Sequence, residues 1–523
     1  METPDSIFES LISVKNLAGL TNDQSLDRIE RLVDVSMDLG KIDGLKHAIS
    51  LSKELFERDL AGEKSALLHY FTANAWAGLS DLTRKGTAGA WDWEQEEIEK
   101  EIIHLRNALQ KALQSKLPDE RFAQILTNLG NIMSNIGRLV EAIAYWERTL
   151  TIIPSYGMAR GNRGFGINFY ARILYDARHK AVLLKHAHMD LIKALAEPLY
   201  EHAKAGFQRC VTQIEKELKP DFLAQEFDMH GHSLGDSEQE VKYRKWCLAK
   251  RLFLNPLNDL GPYPIAAHDV LATPSIIVGI GEGPCFQGLF NQMKQEFVSA
   301  RFLFYEGVNV ERPHFSDSGV LLYNTLDYPS YSLSIEKVKA AFRMLYSLFD
   351  KIAFFLNHYL KLAIPERAVT FRTVWYNGQR KDRGLRADMR QRQNWPLRGL
   401  FWLSKDLYED ANDYSEPLEP DARKLNEVRN HLEHKYLKIH DMLWPGHSTE
   451  TNAIYRSLAD NLAYSIQRDE FEEKTLRLAN MARAALIYLS LAIHSEELER
   501  HRGKDHGTVM PMTLDVLDDK WKI

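Results

Sequence analysis

"LTNLGNIMSNIGRLVEAIAYWERTLTIIP", residues 126 to 154, reads as two helices folded back on one another. Leu126, Leu129, Gly130 and Met133 recur at the three- and four-residue steps that bring side chains to one face of a helix. Gly137 stands where the chain must turn, Ala142 and Trp146 belong to the second helix, and Pro154 stops it. The small residues let the two helices approach closely.

The stretch resembles a tetratricopeptide repeat, a helix-turn-helix of 34 residues with small and large residues at fixed places. Thr149 departs from it, where alanine is expected. Gly164 falls 34 residues after Gly130, within "GNRGFGINFYARIL", although Arg160 and Arg163 replace the usual apolar residues of that helix. Upstream, "ERLVDVSMDLGKIDGLKHAISLSKELF" and "EKSALLHYFTANAWAGLSDL" look like degenerate helix pairs, the latter followed by the Gly/Trp-rich "KGTAGAWDWEQ". Residues 1–217 are therefore expected to form a tetratricopeptide-like helical array whose concave surface receives another chain or a neighbouring domain. An irregular helical bundle with one repeat-like hairpin is the other reading.

The 523 residues are 45% hydrophobic and 26% charged, enough for two to four domains with real cores. A formal charge of −6 and a pI near 6.4 exclude a generally basic surface, so any contact with nucleic acid must come from a local patch. Cys210, Cys247 and Cys285 are odd in number and widely spaced, which argues for a reducing compartment and against a disulfide framework or thiolate zinc site. "METPDSIFES" has no signal-peptide character, and no uninterrupted apolar run approaches the length of a membrane span. A cytoplasmic location without membrane contact is expected.

Residues 218–330 change texture, with "NPLNDLGPYPIAAHDVLATPSIIVGIGEGP" dense in Pro and Gly, and read as a connector. "SIIVGIGEGP" lacks the spacing of a phosphate-binding glycine loop, and Pro284 sits where a helix should open. The histidine pairs His186/His188 and His230/His232 lack a convincing third ligand, so neither a metal nor a cofactor is expected.

From Ser334 a long helix is marked by Ile335, Val338, Phe342, Leu345, Phe349, Ile352, Leu356 and Tyr359. Further helical stretches are expected near 399–412, 421–443 and 450–500, making a domain over 331–500 and leaving 501–523 as a tail. Within the second stretch lies "VRNHLEHKYL". On an ideal helix Leu425, Val428, Leu432, Tyr436 and Ile439 form an apolar stripe, Arg429 borders it, and Asn430 and His434 are neighbours on a different face. His434 is thus expected outside the core, either on a solvated face or in a reaction centre. Arg-x4-His alone is a common string.

The combination of a long apolar helix, a late helix carrying Arg429, Asn430 and His434, and a closing helix resembles the HEPN domain (higher eukaryotes and prokaryotes nucleotide-binding). That family consists of helical bundles, many of them ribonucleases linked to toxin and defence roles. Its signature is Arg, a polar residue, a few more residues, then His; a looser match at "RHRGKDH", Arg500 to His506, is expected to be tail. The resemblance implies metal-independent endoribonuclease activity leaving 2′,3′-cyclic phosphate ends, with Arg429, Asn430 and His434 catalytic. It also implies a homodimer through the C-terminal domain that completes the cleft. An imidazole can exchange protons with ribose and leaving oxygens at neutral pH, and a guanidinium matches a phosphate gaining charge. Asp350, on the long helix, is a candidate for holding Arg429; an ordinary surface carboxylate is the alternative.

Arg380, Lys381, Arg383, Arg386, Arg390 and Arg392, flanked by Trp375, Tyr376 and Trp395, form the local patch expected to hold RNA. A solvated loop with incidental charge is equally open. The expected architecture is mainly α: an array that senses a trigger or protein partner, joined to a nuclease domain. The competing reading is a non-catalytic scaffold binding proteins or nucleotides.

Overall fold

Apolar residues at helical spacing recur through the first half of the sequence, and each amphipathic helix buries its stripe against the next. In the computed structural model, residues 3–279, 281–310, 312–323, 325, 327–408, 422–441, 460, 462–503 and 510–522 are described. A short helix α1 (Pro4–Ile12) precedes four helical hairpins. These are α2 (Asn22–Leu39) with α3 (Ile42–Phe56), α4 (Gly62–Arg84) with α5 (Glu96–Leu113), α6 (Asp119–Asn135) with α7 (Leu139–Ile152), and α8 (Gly157–Arg172) with α9 (Ala177–Leu195). Helix α10 (Glu201–Glu217) packs on α9.

Trp146 explains the small residues around it. A Cβ on Gly130 would lie 2.5 Å from its indole Nε1, and one on Gly166 would also collide with the ring, so two helices close onto Trp146 only because both positions are bare. Thr149, the residue out of pattern, is buried and returns its hydroxyl to the Tyr145 carbonyl at 3.2 Å. Arg163 and Arg160 are accommodated by partners on and just after α9: Arg163 pairs with Asp190 at 2.7 Å and Arg160 with Glu197 at 3.3 Å.

The Pro/Gly-rich connector region is packed into the fold. After α11 (Pro220–Ala224) and α12 (Glu238–Ala249), Leu252, Phe253, Leu254 and Leu257 are buried, and Asn258 and Asp259 with them. Asn258 meets its own polar needs locally, accepting from Phe253 N–H at 3.2 Å and donating to the Leu248 and Gly261 carbonyls at 3.2 Å each. Asp259 joins Tyr170 of α8 to the buried Arg483 of the C-terminal half, at 3.2 and 2.6 Å. Within the same stretch lies α13 (Cys285–Val308), which packs along α14 (Leu333–Tyr359). Pro and Gly here shape a packed segment between the two halves, followed by a core helix.

All eight stripe residues of α14 are buried. Then come α15 (Ala387–Arg390), α16 (Trp395–Tyr408), α17 (Ala422–His434), a parallel pair of strands β1 (Tyr436–His440) and β2 (Ala463–Gln467), and α18 (Arg468–His501). The helix expected over 421–443 therefore ends at His434 and continues as a strand, and residues 463–467 are strand before α18 begins. Residues 409–412 and 450–459, also expected to be helical, lie outside the described residues. Helix α18 is long and apolar enough to cross a membrane, but 83% of its most apolar window is buried among the other helices, as a core helix would be.

Helix α16 is seated on the array. Gly137, with φ of +90°, lies so close to α16 that a Cβ there would strike the Trp395 carbonyl, and Gly399 is bare on the other side. Asp406 receives both Nη atoms of Arg106, at 2.8 and 2.9 Å, and is also paired with Arg138. Lys405 pairs with Glu99, and Tyr488 of α18 accepts from Val140 N–H at 3.0 Å.

Candidate active site

The site begins with the polar edge of α14. Arg343, Tyr346 and Asp350 follow one another at helical spacing beside the apolar stripe and face α17. Leu425, Val428 and Leu432 are buried and hold α17 in place, with Leu437 and Ile439 of β1 buried beyond the helix end. Tyr436, expected in the apolar stripe, is instead partly exposed, its hydroxyl 3.2 Å from that of Tyr331.

That packing leaves Arg429 and Asn430 half-buried and His434 exposed, on the last residue of α17. Arg429 donates from Nη1 to Asn430 Oδ1 at 3.0 Å, and its guanidinium lies 5.6 Å from the Tyr346 ring centroid. Asn430 thereby orients the arginine. Asp350 does not grip it directly: its carboxylate accepts the Phe371 N–H at 2.9 Å. Burial raises the Asp350 pKa, while that N–H and the charge of Arg429 pull it back down.

The sequence did not single out Arg343 and Tyr346. Arg343 donates to the Leu432 carbonyl at 2.5 Å and lies 3.6 Å from Glu433, so it caps the α17 C-terminus, where cations are favoured. Their spacing from Asp350 on the polar edge of α14 was the available signal. His431, the motif's other histidine, is engaged in structure, with Nδ1 2.8 Å from the Glu427 carbonyl and its ring 5.0 Å from that of Tyr464. At the looser match, Arg500 and His501 lie in the last turn of α18 rather than in a tail and pair with Glu497 at 3.1 and 2.9 Å; His506 lies outside the described residues.

The basic segment divides. Arg383 and Arg390 are exposed. Arg380 is also exposed but paired with Asp382 at 2.7 Å, and Lys381 is half-buried. Arg386 is tied to Asp388 and to the Leu362 carbonyl, and Arg392 to Glu496. Trp375 and Tyr376 are buried in an aromatic core with Phe401, so they are not available to stack on bases. Trp395 is half-buried and donates to the Asn135 carbonyl at 3.0 Å. Among the described residues, no group of three or more His, Cys, Asp or Glu side chains could hold a metal ion.

Residues 277–496 match the family model described as LA2681-like HEPN, so this part of the chain carries a HEPN domain. The match takes in α13, α14, α17 with Arg429, Asn430 and His434, and nearly all of α18, and it does not reach the helical hairpins of the first half. No curated protein matches the chain.

Proposed function

We propose that the chain is a metal-independent endoribonuclease of the HEPN type, whose tetratricopeptide-like array responds to a trigger or partner protein in defence or toxin-like RNA cleavage. The observation that carries this reading is the motif's position: within the matched HEPN segment, Arg429 and Asn430 are packed and mutually bonded while His434 stands free at the helix end. His434 then takes the proton of a ribose 2′-hydroxyl as that oxygen attacks the adjacent phosphorus. The P–O5′ bond breaks, the leaving oxygen takes up a proton, and the products carry a 2′,3′-cyclic phosphate and a 5′-hydroxyl. Arg429 stabilises the charge that builds on the phosphoryl oxygens, with Asn430 and the Tyr346 ring fixing its direction.

One helix supplies a single Arg/His set, whereas in-line displacement needs groups on both sides of the phosphorus. A two-fold homodimer bringing two α17 helices together meets that need. Arg383 and Arg390 are the best-placed members of the basic segment to meet the RNA backbone. The test is RNA incubated with wild-type, R429A and H434A protein, with melting temperature and light-scattering mass recorded for each. Dimeric wild type that cleaves, beside folded variants that do not, is expected. Equal cleavage by all three, or activity from a strict monomer, would remove the proposal.

A further inference from the structure

Where α16 meets the array, the two halves line an open cleft of about 550 Å³, within the range of small-molecule sites. Five aromatic rings line it: Trp146, Phe165 and Phe169 from the array hairpins, Trp91 from the turn before α5, and Trp395 from α16. Trp91 is 48% exposed, and Phe165 and Phe169 are also partly open, so apolar rings stand uncovered at its edge. Phe169 meets Trp395 edge to face at 5.5 Å, which fixes one wall.

Beside Ala90, Asn131, Ser134, Asn135 and Asn162, the lining includes one cation. Arg398 also lines the cavity and is 2% exposed. Its Nη1 and Nη2 donate only to the backbone carbonyls of Asn135 and Asp92, at 3.3 and 2.9 Å, and its Nε has no partner. Buried guanidinium groups elsewhere at this junction have carboxylates: Arg106 and Arg138 share Asp406. Arg398 pairs with none among the described residues, and burial, opposed by the charge of Asp92, lowers its pKa to about 10. A buried positive charge with no carboxylate paired to it, beside a set of rings, favours a ligand that is both planar and anionic.

We infer that this cavity binds a nucleotide, its planar base stacked among the rings and its phosphate held by the charge of Arg398. The site is built largely from array residues outside the HEPN match and does not depend on the nuclease reading. Because α16 also packs on α17, the cavity lies one helix from Arg429 and His434.

Three of the cavity's rings are tryptophans, so occupancy can be read as a change in intrinsic fluorescence. The full chain would be titrated with adenosine 5′-monophosphate, adenosine and ribose 5-phosphate, and the titrations repeated with W91A, F169A, R398Q and R429A. Saturable binding of the monophosphate is expected, weakened about ten-fold in W91A or F169A by loss of one stacked ring. Adenosine and ribose 5-phosphate should bind more weakly, and R429A should bind like wild type. R398Q should lose the preference for the monophosphate over adenosine; if it does not fold, the ring variants and the three wild-type titrations carry the test. Absence of saturation by the monophosphate, binding unaltered in both W91A and F169A, or binding lost in R429A would overturn the inference.

Discussion

Replacing Asp406 by Asn tests how the HEPN domain is held on the array. Asp406 is 3% exposed and serves two buried guanidinium groups, one of them through a two-pronged contact at 2.8 and 2.9 Å. Those charges hold its pKa well below the ordinary carboxylate range despite burial. Asparagine keeps the shape but removes the charge and one acceptor oxygen. Arg138 retains Glu141 at 2.8 Å, whereas Arg106 loses its two-pronged contact with a buried carboxylate. Breaking a buried pair from one side costs about 3–5 kcal/mol, and that is the expected loss in urea unfolding followed by circular dichroism. The double change R106M/D406L removes both charges together and should recover all but ~2 kcal/mol. The pH dependence has a defined sign. A carboxylate whose folded pKa is depressed contributes its stability above the unfolded value, about 3.9, and loses it as pH falls toward the folded value, so the gap between wild type and D406N should close in acid. A loss below ~1 kcal/mol at neutral pH would refute the reasoning, because the Arg106 charge would then be hydrated or compensated elsewhere.

Gly130→Ala should cost about 1–3 kcal/mol and lower the melting temperature, since the new methyl meets the Trp146 indole; an unchanged melting temperature would show that the hairpin can open at no cost. His69 and His104, joined Nδ1 to Nδ1 at 2.9 Å, have their pKa values lowered, chiefly by burial, to about 4 and about 3. The unfolded chain therefore takes up protons first, so stability is full above about pH 6.5 and falls by ~3 kcal/mol per histidine as pH drops toward 4. An H69Q/H104Q variant should lack that slope in denaturation curves, and an identical slope would assign it elsewhere. R383A/R390A should weaken RNA binding and reduce the slope of its salt dependence by about 0.7 per lost phosphate contact on single-stranded RNA, measured by anisotropy at several salt concentrations; an unchanged slope would return the segment to a solvated loop.

Legibility in the sequence followed locality. The α14 stripe and the hairpin around Gly130, Gly137 and Trp146 could be read because their spacing is enforced by contacts with adjacent helices. Strand β1 could not. Leu432, Tyr436 and Ile439 satisfy helical spacing by coincidence, and they hid the apolar–polar alternation of Leu437, Lys438, Ile439 and His440, all four of which are buried. Its parallel partner also lies well along the chain, so no hairpin signal announces it. The packing of the connector was hidden for a related reason: Pro and Gly punctuate buried irregular segments as well as linkers, and only the partners of Asn258 and Asp259 distinguish the two. Trp375 and Tyr376, beside a basic run, suggested base stacking until their packing against Phe401 was seen. At the candidate site, the half-buried Arg429 and exposed His434 could be anticipated from the helical wheel, but the capping by Arg343 and the Tyr346 face depend on a helix about eighty residues away.

The central claim is that RNA supplies its own nucleophile, with His434 accepting the proton. Mass spectrometry of the fragments, from an all-ribose RNA and from one with a 2′-O-methyl ribose at the cut site, tests it most directly. The proposed mechanism gives 2′,3′-cyclic phosphate and 5′-hydroxyl ends, no cut at the methylated position, no loss of activity with EDTA, and no product from H434A. Fragments with 5′-phosphate ends, or cleavage at the methylated position, would contradict it.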